Sequence, residues 1–432
     1  MMKRAGVIAA AAMLYSGVAT AATEIEWWHA MGGRLGEKVE EIAARFNESQ
    51  GEYTVKPVFK GNYTETMTAV IAAFRAGEQP HIVQVFEVGT ASMMAAKGAV
   101  YPVHELMKDA GEAFDQSAYL PAVISYYTDT EDKLLSLPFN SSTPVLWYNQ
   151  DLFEKAGIAE APSTWGGVFH AAEKLQAAGH QCAVSFGWQS WVMIENMSAW
   201  HNLPIGTKAN GFEGTDTEFT FNNEHIAGLL QRLRDSMNAG TFKYGGRRGE
   251  SLPLFVTGEC AMWMNSSAYY ASIKDQAKFR FGQAMLPFQA SIVEKPQNSI
   301  IGGATLWVLR GREAEEYKGV AKFFNFMSSA EIQADWHQFT GYVPITTAAY
   351  ELSKQQDYYE QNPGTDVAIK QLSLNTPTPN SKGLRFGNFV QIRDIINEEM
   401  EAIWSGQKDA QTALNDAKAR GDDLLRKFEK TN

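Results

Sequence analysis

Cysteine is nearly absent from this chain: only Cys182 and Cys260 occur in 432 residues. Two thiols cannot build a disulfide scaffold, and they make a poor metal site. They either pair once or stand as two buried thiols, and spacing alone does not choose between these. The eight histidines contain no His-x-His pair and no His-Glu-x-x-His, so the zinc-hydrolase helix is missing. Gly-x-Ser-x-Gly is absent, which removes the nucleophile elbow of α/β-hydrolases. No Walker loop or Gly-x-Gly-x-x-Gly occurs, so nucleotide cofactors have no cradle. Adjacent acids such as Glu40-Glu41 and Glu398-Glu399 fall on helical patterns, where a solvated face is the ordinary reading. Together these gaps argue against an enzyme, and no catalytic residue, cofactor or metal is expected. Excess positive charge is missing as well. The net charge is −11, which discourages nucleic acid and anionic membrane as partners. An anionic ligand would need a local cluster of donors to overcome that field.

Long apolar runs are absent beyond the start of the chain. There, Lys3 and Arg4 precede an uncharged run from Ala5 to Val18, and Ala19-Thr20-Ala21 supplies small residues for a peptidase. This is the three-part pattern of a secretory signal peptide, too short to span a bilayer. No cysteine follows it, so lipid anchoring is not expected. Cleavage removes two positive charges and leaves an acidic exported protein, free in the periplasm or outside the cell. About 410 residues then remain, enough for two domains.

Aromatic residues, by contrast, are plentiful at 12%. In an exported protein they favour sugars, polyols or other small ligands packed on ring faces. The mature chain opens with alternating patterns. Strands are predicted at Thr23–His29, Tyr53–Phe59 and His81–Phe86, with helices at Arg34–Glu48, Thr64–Arg75 and Thr90–Lys97. The grammar restarts with a strand at Pro144–Asn149 and a helix at Trp165–Ala178. Further strands are predicted at Cys182–Phe186, Cys260–Met264, Phe279–Met285 and Thr305–Leu309, and amphipathic helices at Phe389–Trp404 and Ala410–Phe428. Such alternation implies α/β lobes around largely parallel sheets, with a ligand crevice where strand ends from both lobes meet.

Several small polar and aromatic segments sit at those strand ends. Asn140-Ser141-Ser142-Thr143-Pro144 leads into Val145-Leu146-Trp147-Tyr148-Asn149. Others are Lys60-Gly61-Asn62-Tyr63, Phe86-Glu87-Val88-Gly89, Ser185-Phe186-Gly187-Trp188-Gln189, Asn265-Ser266-Ser267, Ile301-Gly302-Gly303, Thr340-Gly341-Tyr342 and Gln391-Ile392-Arg393. The ordered set resembles the extracellular solute-binding proteins that deliver ligands to ABC importers, of the maltodextrin-binding type, and within them the branch that binds sn-glycerol 3-phosphate. The resemblance covers essentially the whole mature chain.

It implies a two-lobe periplasmic binding protein fold (type II), with hinge-linked lobes and the ligand cleft between them. Residues 22–142 and 299–330 would form the N-terminal lobe, and 143–298 and 331–432 the C-terminal lobe. Tyr63 and Glu87 would hold the glycerol hydroxyls. Ser142, Ser266, Gly303, Tyr342 and Arg393 would receive the phosphate, and Trp188 would wall the pocket. Bulky Trp263-Met264-Asn265 before the serine pair leaves Ser266 and Ser267 open by one position. Taken singly, Ser142 and Ser266 read as caps, Gly302-Gly303 as a turn, Arg393 as a surface residue and Trp188 as core. Glu87 is the exception, because a carboxylate just after a buried strand is costly unless partnered.

The resemblance also implies membrane permease and ATPase partners, a monomer, and transport of glycerophosphodiesters such as glycerophosphocholine beside the monoester. A neutral-oligosaccharide binder and a secreted glycerophosphodiester hydrolase are the rival readings. The mature N-terminus should follow Ala21, with Ala22 as the close alternative. Intact-mass measurement of exported protein checks this, and a mature form that retains Lys3 would contradict the export reading.

Overall fold

The computed structural model describes residues 22–96, 98–129 and 131–432, so the expected leader lies outside the described residues. Among the described residues ten strands form two sheets: β1 (Thr23–His29), β2 (Tyr53–Phe59), β3 (Ile82–Phe86), β4 (Val100–Tyr101), β5 (Leu137–Ser142), β6 (Pro144–Asn149), β7 (Val184–Phe186), β8 (Met262–Ser266), β9 (Phe281–Ala284) and β10 (Gly302–Leu309). The first sheet runs β2-β1-β3-β10-β4, with β5 alongside β10, and the second runs β7-β8-β6-β9. This is an α/β, two-lobe fold.

The sheets are mixed rather than largely parallel, which corrects the sequence expectation. β1 is parallel to β2 and β3, and β7 to β8. β10, however, is antiparallel to β3, β4 and β5, and β6 is antiparallel to β8 and β9. The reason is long-range: β10 returns from the second lobe and inserts beside β3 from the opposite direction. Strand direction in such an insertion is not encoded in local periodicity.

Helices cover the sheets through apolar stripes. Helix α1 (Gly33–Ser49) buries Val39, Ile42, Ala43 and Phe46 against the first sheet. Helix α2 (Tyr63–Ala76) begins with a capping box, in which the Asn62 side chain accepts from the Thr64 and Glu65 amides while Glu65 reaches back. It stops at Gly77, whose φ of 74° is left-handed. Trp27, Phe139 and Trp336 pack together in the first lobe, and Trp336 stacks on Phe139 at 4.8 Å.

That stack ties the Ala330–Thr340 helix to the first lobe. On the same helix Asp335 is 2.8 Å from Lys38 and 2.7 Å from Arg45. The Val343 amide also donates to the Ser141 carbonyl at 2.8 Å. In the second lobe Cys182 and Cys260 form a disulfide, so of the two states left open for the thiols the paired one is found.

Three histidines carry a consequence for stability. Burial pushes His29, His201 and His337 each down to about 4. His337 Nδ1–H donates to the Tyr342 carbonyl while Nε2 accepts from the Tyr359 hydroxyl, so the neutral ring is already satisfied. The unfolded chain would titrate near 6.5. Between pH 6.5 and 4 the unfolded state takes up protons that the folded state refuses, so stability falls as pH falls through that window. The loss is on the order of 2 kcal/mol per histidine at pH 5. Urea unfolding at pH 7.5 and 5.0 should give a clearly lower midpoint at pH 5.0, and equal midpoints would refute this.

Candidate functional site

The chain passes from the first sheet to the second within three residues, Ser142, Thr143 and Pro144, and this crossing builds the floor of a cavity. Ser142 ends β5 in one lobe, while Ser266 ends β8 in the other, opposite Pro144. The Ser266 hydroxyl donates to Ser142 Oγ at 2.8 Å, so the two lobes meet through a serine pair. Ser266 Oγ also accepts the Ala268 amide at 3.1 Å. It is Ser266, not Ser267, that lines the cavity, and the Ser267 amide instead donates to the Thr143 carbonyl.

Beside the serines lies Gly303 in β10, paired with Ser141. Its φ is +106°, and a Cβ there would stand 1.8 Å from the Asn140 carbonyl oxygen, so no side chain fits. Tyr63, the first residue of α2, stacks on Phe86 at 5.2 Å. Its hydroxyl accepts from Asn140 Nδ2 at 2.8 Å, at the end of a relay in which Gln84 donates to Asn140 and accepts the Ala30 amide. Burial pushes the Tyr63 and Tyr342 hydroxyls up, so both remain protonated donors.

The acidic residue that follows β3 finds its partner deep in the site. Arg393 Nη2 donates to Glu87 at 2.7 Å and to Glu195 at 2.7 Å, and its Nε donates to Glu195 at 2.9 Å. All three side chains are almost wholly buried. Burial alone would push the guanidinium down, but Glu195 and Glu87 hold it above its ordinary value. Burial pushes the Glu195 carboxyl up, and Arg393 opposes that. Arg393 therefore lines the cavity but is not an uncommitted phosphate cation: two carboxylates already share it. Arg385 lies elsewhere and donates to the Tyr126 and Thr128 carbonyls.

Trp188 forms one wall. Its φ of 47° is left-handed, an uncommon setting for a bulky residue, held by an amide hydrogen bond to the Arg248 carbonyl at 2.9 Å. All eight residues expected from the sequence line one cavity of about 270 Å³ between the lobes. Four neighbours were not anticipated. Trp191 and Glu195 belong to a π-helical turn, Trp191–Asn196, and Tyr269 and Arg248 close the second-lobe side. Glu195 could have been found by the argument applied to Glu87, since it interrupts an apolar run. The others carried no local signal.

The family model for bacterial extracellular solute-binding proteins matches residues 41–365. The sn-glycerol-3-phosphate-binding periplasmic protein UgpB of Yersinia pseudotuberculosis is 50% identical over 432 residues, covering 99% of this chain and 98% of that one. Its counterpart in Salmonella typhimurium is 49% identical, covering 98% and 97%. Among solved structures, UgpB from Mycobacterium tuberculosis in complex with glycerophosphocholine superposes with a TM-score of 0.79 at 20% identity, covering 94% of this chain and 99% of that one. Maltose-bound MalE3 of T. maritima gives 0.77 at 18%, covering 93% and 100%, so at this distance the fold is what is shared.

Removing Arg393 leaves two buried carboxylates without a counter-charge. Arg393→Ala should destabilise the ligand-free protein by about 3–5 kcal/mol. Arg393→Ala combined with Glu195→Gln should lose less than the single variant, because the stranded charge is relieved. Urea titrations of both variants check this. Equal losses would mean that the three groups are not energetically coupled.

Proposed function

Because this chain belongs to the bacterial extracellular solute-binding proteins, we propose that its cavity captures sn-glycerol 3-phosphate and, less tightly, glycerophosphodiesters such as glycerophosphocholine. It is the substrate-binding component of an ABC importer. It works in the periplasm as a monomer and presents its ligand to membrane permease and ATPase subunits. The observation that carries this reading is the convergence of the eight residues, drawn from both lobes, on one small cavity. At about 270 Å³ it falls just below the range usual for drug-sized ligands, which suits a triose-sized ester better than an oligosaccharide.

The chemistry follows from the hydrogen-bond inventory. With the Ser266 proton on Ser142, the Ser142 proton is left to donate to a phosphate oxygen. The protonated Tyr342 hydroxyl adds a second donor, and Gly303 lets backbone approach closely. Arg393 Nε and Nη2 are engaged by carboxylates, so Nη1 is its contribution to an anion. Arg393 takes only Oε1 of Glu87, so Oε2 is the acceptor for a glycerol hydroxyl, and the Tyr63 ring and hydroxyl flank it. Capture without turnover is consistent with this arrangement, since both carboxylates at the site are occupied by an ion pair rather than poised for proton transfer.

Trp188 narrows the cavity beside Arg248, on the side where the second alcohol of a phosphodiester would extend from the phosphate. The Arg248 guanidinium stands 5.7 Å from the centroid of its ring, so a choline cation seeking that face would meet a like charge. The wall is therefore steric, and it favours the monoester. Calorimetric titration of mature protein should give saturable binding of glycerol 3-phosphate, weaker binding of glycerophosphocholine and none of maltose. Maltose binding without glycerol 3-phosphate binding would overturn the reading. Trp188→Leu should raise affinity for glycerophosphocholine relative to the monoester, and a fall in that ratio would assign the ring a cation-stacking role.

A further inference from the structure

The charges around the cavity do not balance through the residues assigned so far. Glu87 and Glu195 bring two negative charges against the single positive charge of Arg393, and an incoming phosphate would add up to two more. A low-dielectric site with that sum would reject an anion. Among the described residues one further cation, Arg248, lines the cavity. Arg248 makes no ion pair within 4.0 Å with any carboxylate among the described residues.

Its placement is specific. Arg247, the residue before it, is clamped by Glu401 through Nε at 2.9 Å and Nη2 at 2.6 Å, which fixes the loop to the helix that also carries Arg393. The Arg248 carbonyl accepts the Trp188 amide, and its own amide donates to Glu250 at 2.7 Å. The backbone is thus held on three sides while the side chain crosses the cleft, where Nη2 donates to Thr64 Oγ1 of α2 at 3.1 Å. Two adjacent arginines have opposite tasks: Arg247 is spent on structure, and Arg248 carries unneutralised charge to the cavity mouth.

We infer that Arg248 is the residue that makes this cleft select an anion, an inference that rests on the glycerophosphate reading above. Arg393 orders the acidic floor, and Arg248 supplies the charge that an anionic ligand requires. A hydroxyl partner such as Thr64 gives up the guanidinium at little cost, so the fork can turn from Thr64 to a phosphate oxygen as the ligand enters.

The test is calorimetry on full mature protein with glycerol 3-phosphate at low and moderate salt. Wild type should bind. Arg248→Gln, which keeps hydrogen-bonding capacity and removes the charge, should bind about 30-fold more weakly or worse and lose most of the salt dependence. Arg248→Lys should recover a large part of the loss, and Thr64→Val should stay within about threefold of wild type because it removes only the bridge. Ligand-free urea midpoints should be unchanged across the set. If wild type binds and Arg248→Gln binds equally well, this inference fails while the glycerophosphate reading stands. If Thr64→Val loses as much as Arg248→Gln, lobe bridging rather than charge explains the residue, and the inference again fails. Absence of binding by wild type would instead sink the reading on which it rests.

Discussion

A guanidinium held between two carboxylates, almost out of reach of water, is the constraint on which the rest of this molecule turns. Glu87 follows β3, Glu195 sits in a π-helical turn and Arg393 lies on the Phe389–Trp404 helix, 306 residues from Glu87. Stripping water from three charges costs several kcal/mol per ion, and apolar residues of the same volume could pack as stably. What apolar residues could not supply is a carboxylate with one free oxygen at a fixed position. The ion cluster holds Glu87 in place through Oε1 and leaves the other oxygen uncommitted by Arg393, as the proposed capture of a glycerol hydroxyl requires.

The second organising feature is the crossing between sheets. Residues 142–144 carry the chain from one lobe to the other, so the last residue of β5 and the first of β6 belong to different sheets. A hydroxyl at this point is shared by both lobes. Ser142 and Ser266 meet there, and Thr143 bonds the Ser299 hydroxyl on the returning segment at 2.7 Å. Rotation of one lobe against the other turns at these groups, together with the contacts that Arg393 and Arg248 make across the cleft. In the proposed binding mode, ligand contact and lobe orientation therefore share these hydrogen bonds.

Much of the fold could be read along the chain, because its elements announce themselves locally. β1, β2 and β6 match their predicted spans, and so does the Phe389–Trp404 helix. Strand direction was not legible, since β10 pairs with strands more than 150 residues away. Neither were the contacts of the Ala330–Thr340 helix with the first lobe, such as the Trp336–Phe139 stack, whose partners lie far apart in sequence. In the site, the residues that arrived as an ordered family pattern do share a cavity. Arg248 escaped notice because nothing in Gly-Gly-Arg-Arg-Gly distinguishes the arginine that is clamped from the one that is free. That distinction is made by Glu401, which is remote in sequence.

The disulfide has a consequence for when the molecule is finished. Cys182 and Cys260 precede the two parallel strands β7 and β8, whose far ends lead to Trp188 and Ser266 at the cavity. The bond closes a separation of 78 residues and contributes on the order of 2–4 kcal/mol. It forms only in an oxidising compartment. Without the bond the second lobe lacks this contribution, and the pocket wall that β7 and β8 carry is held less firmly. Oxidation on the far side of the membrane thus adds the last constraint on the strands that lead to this wall.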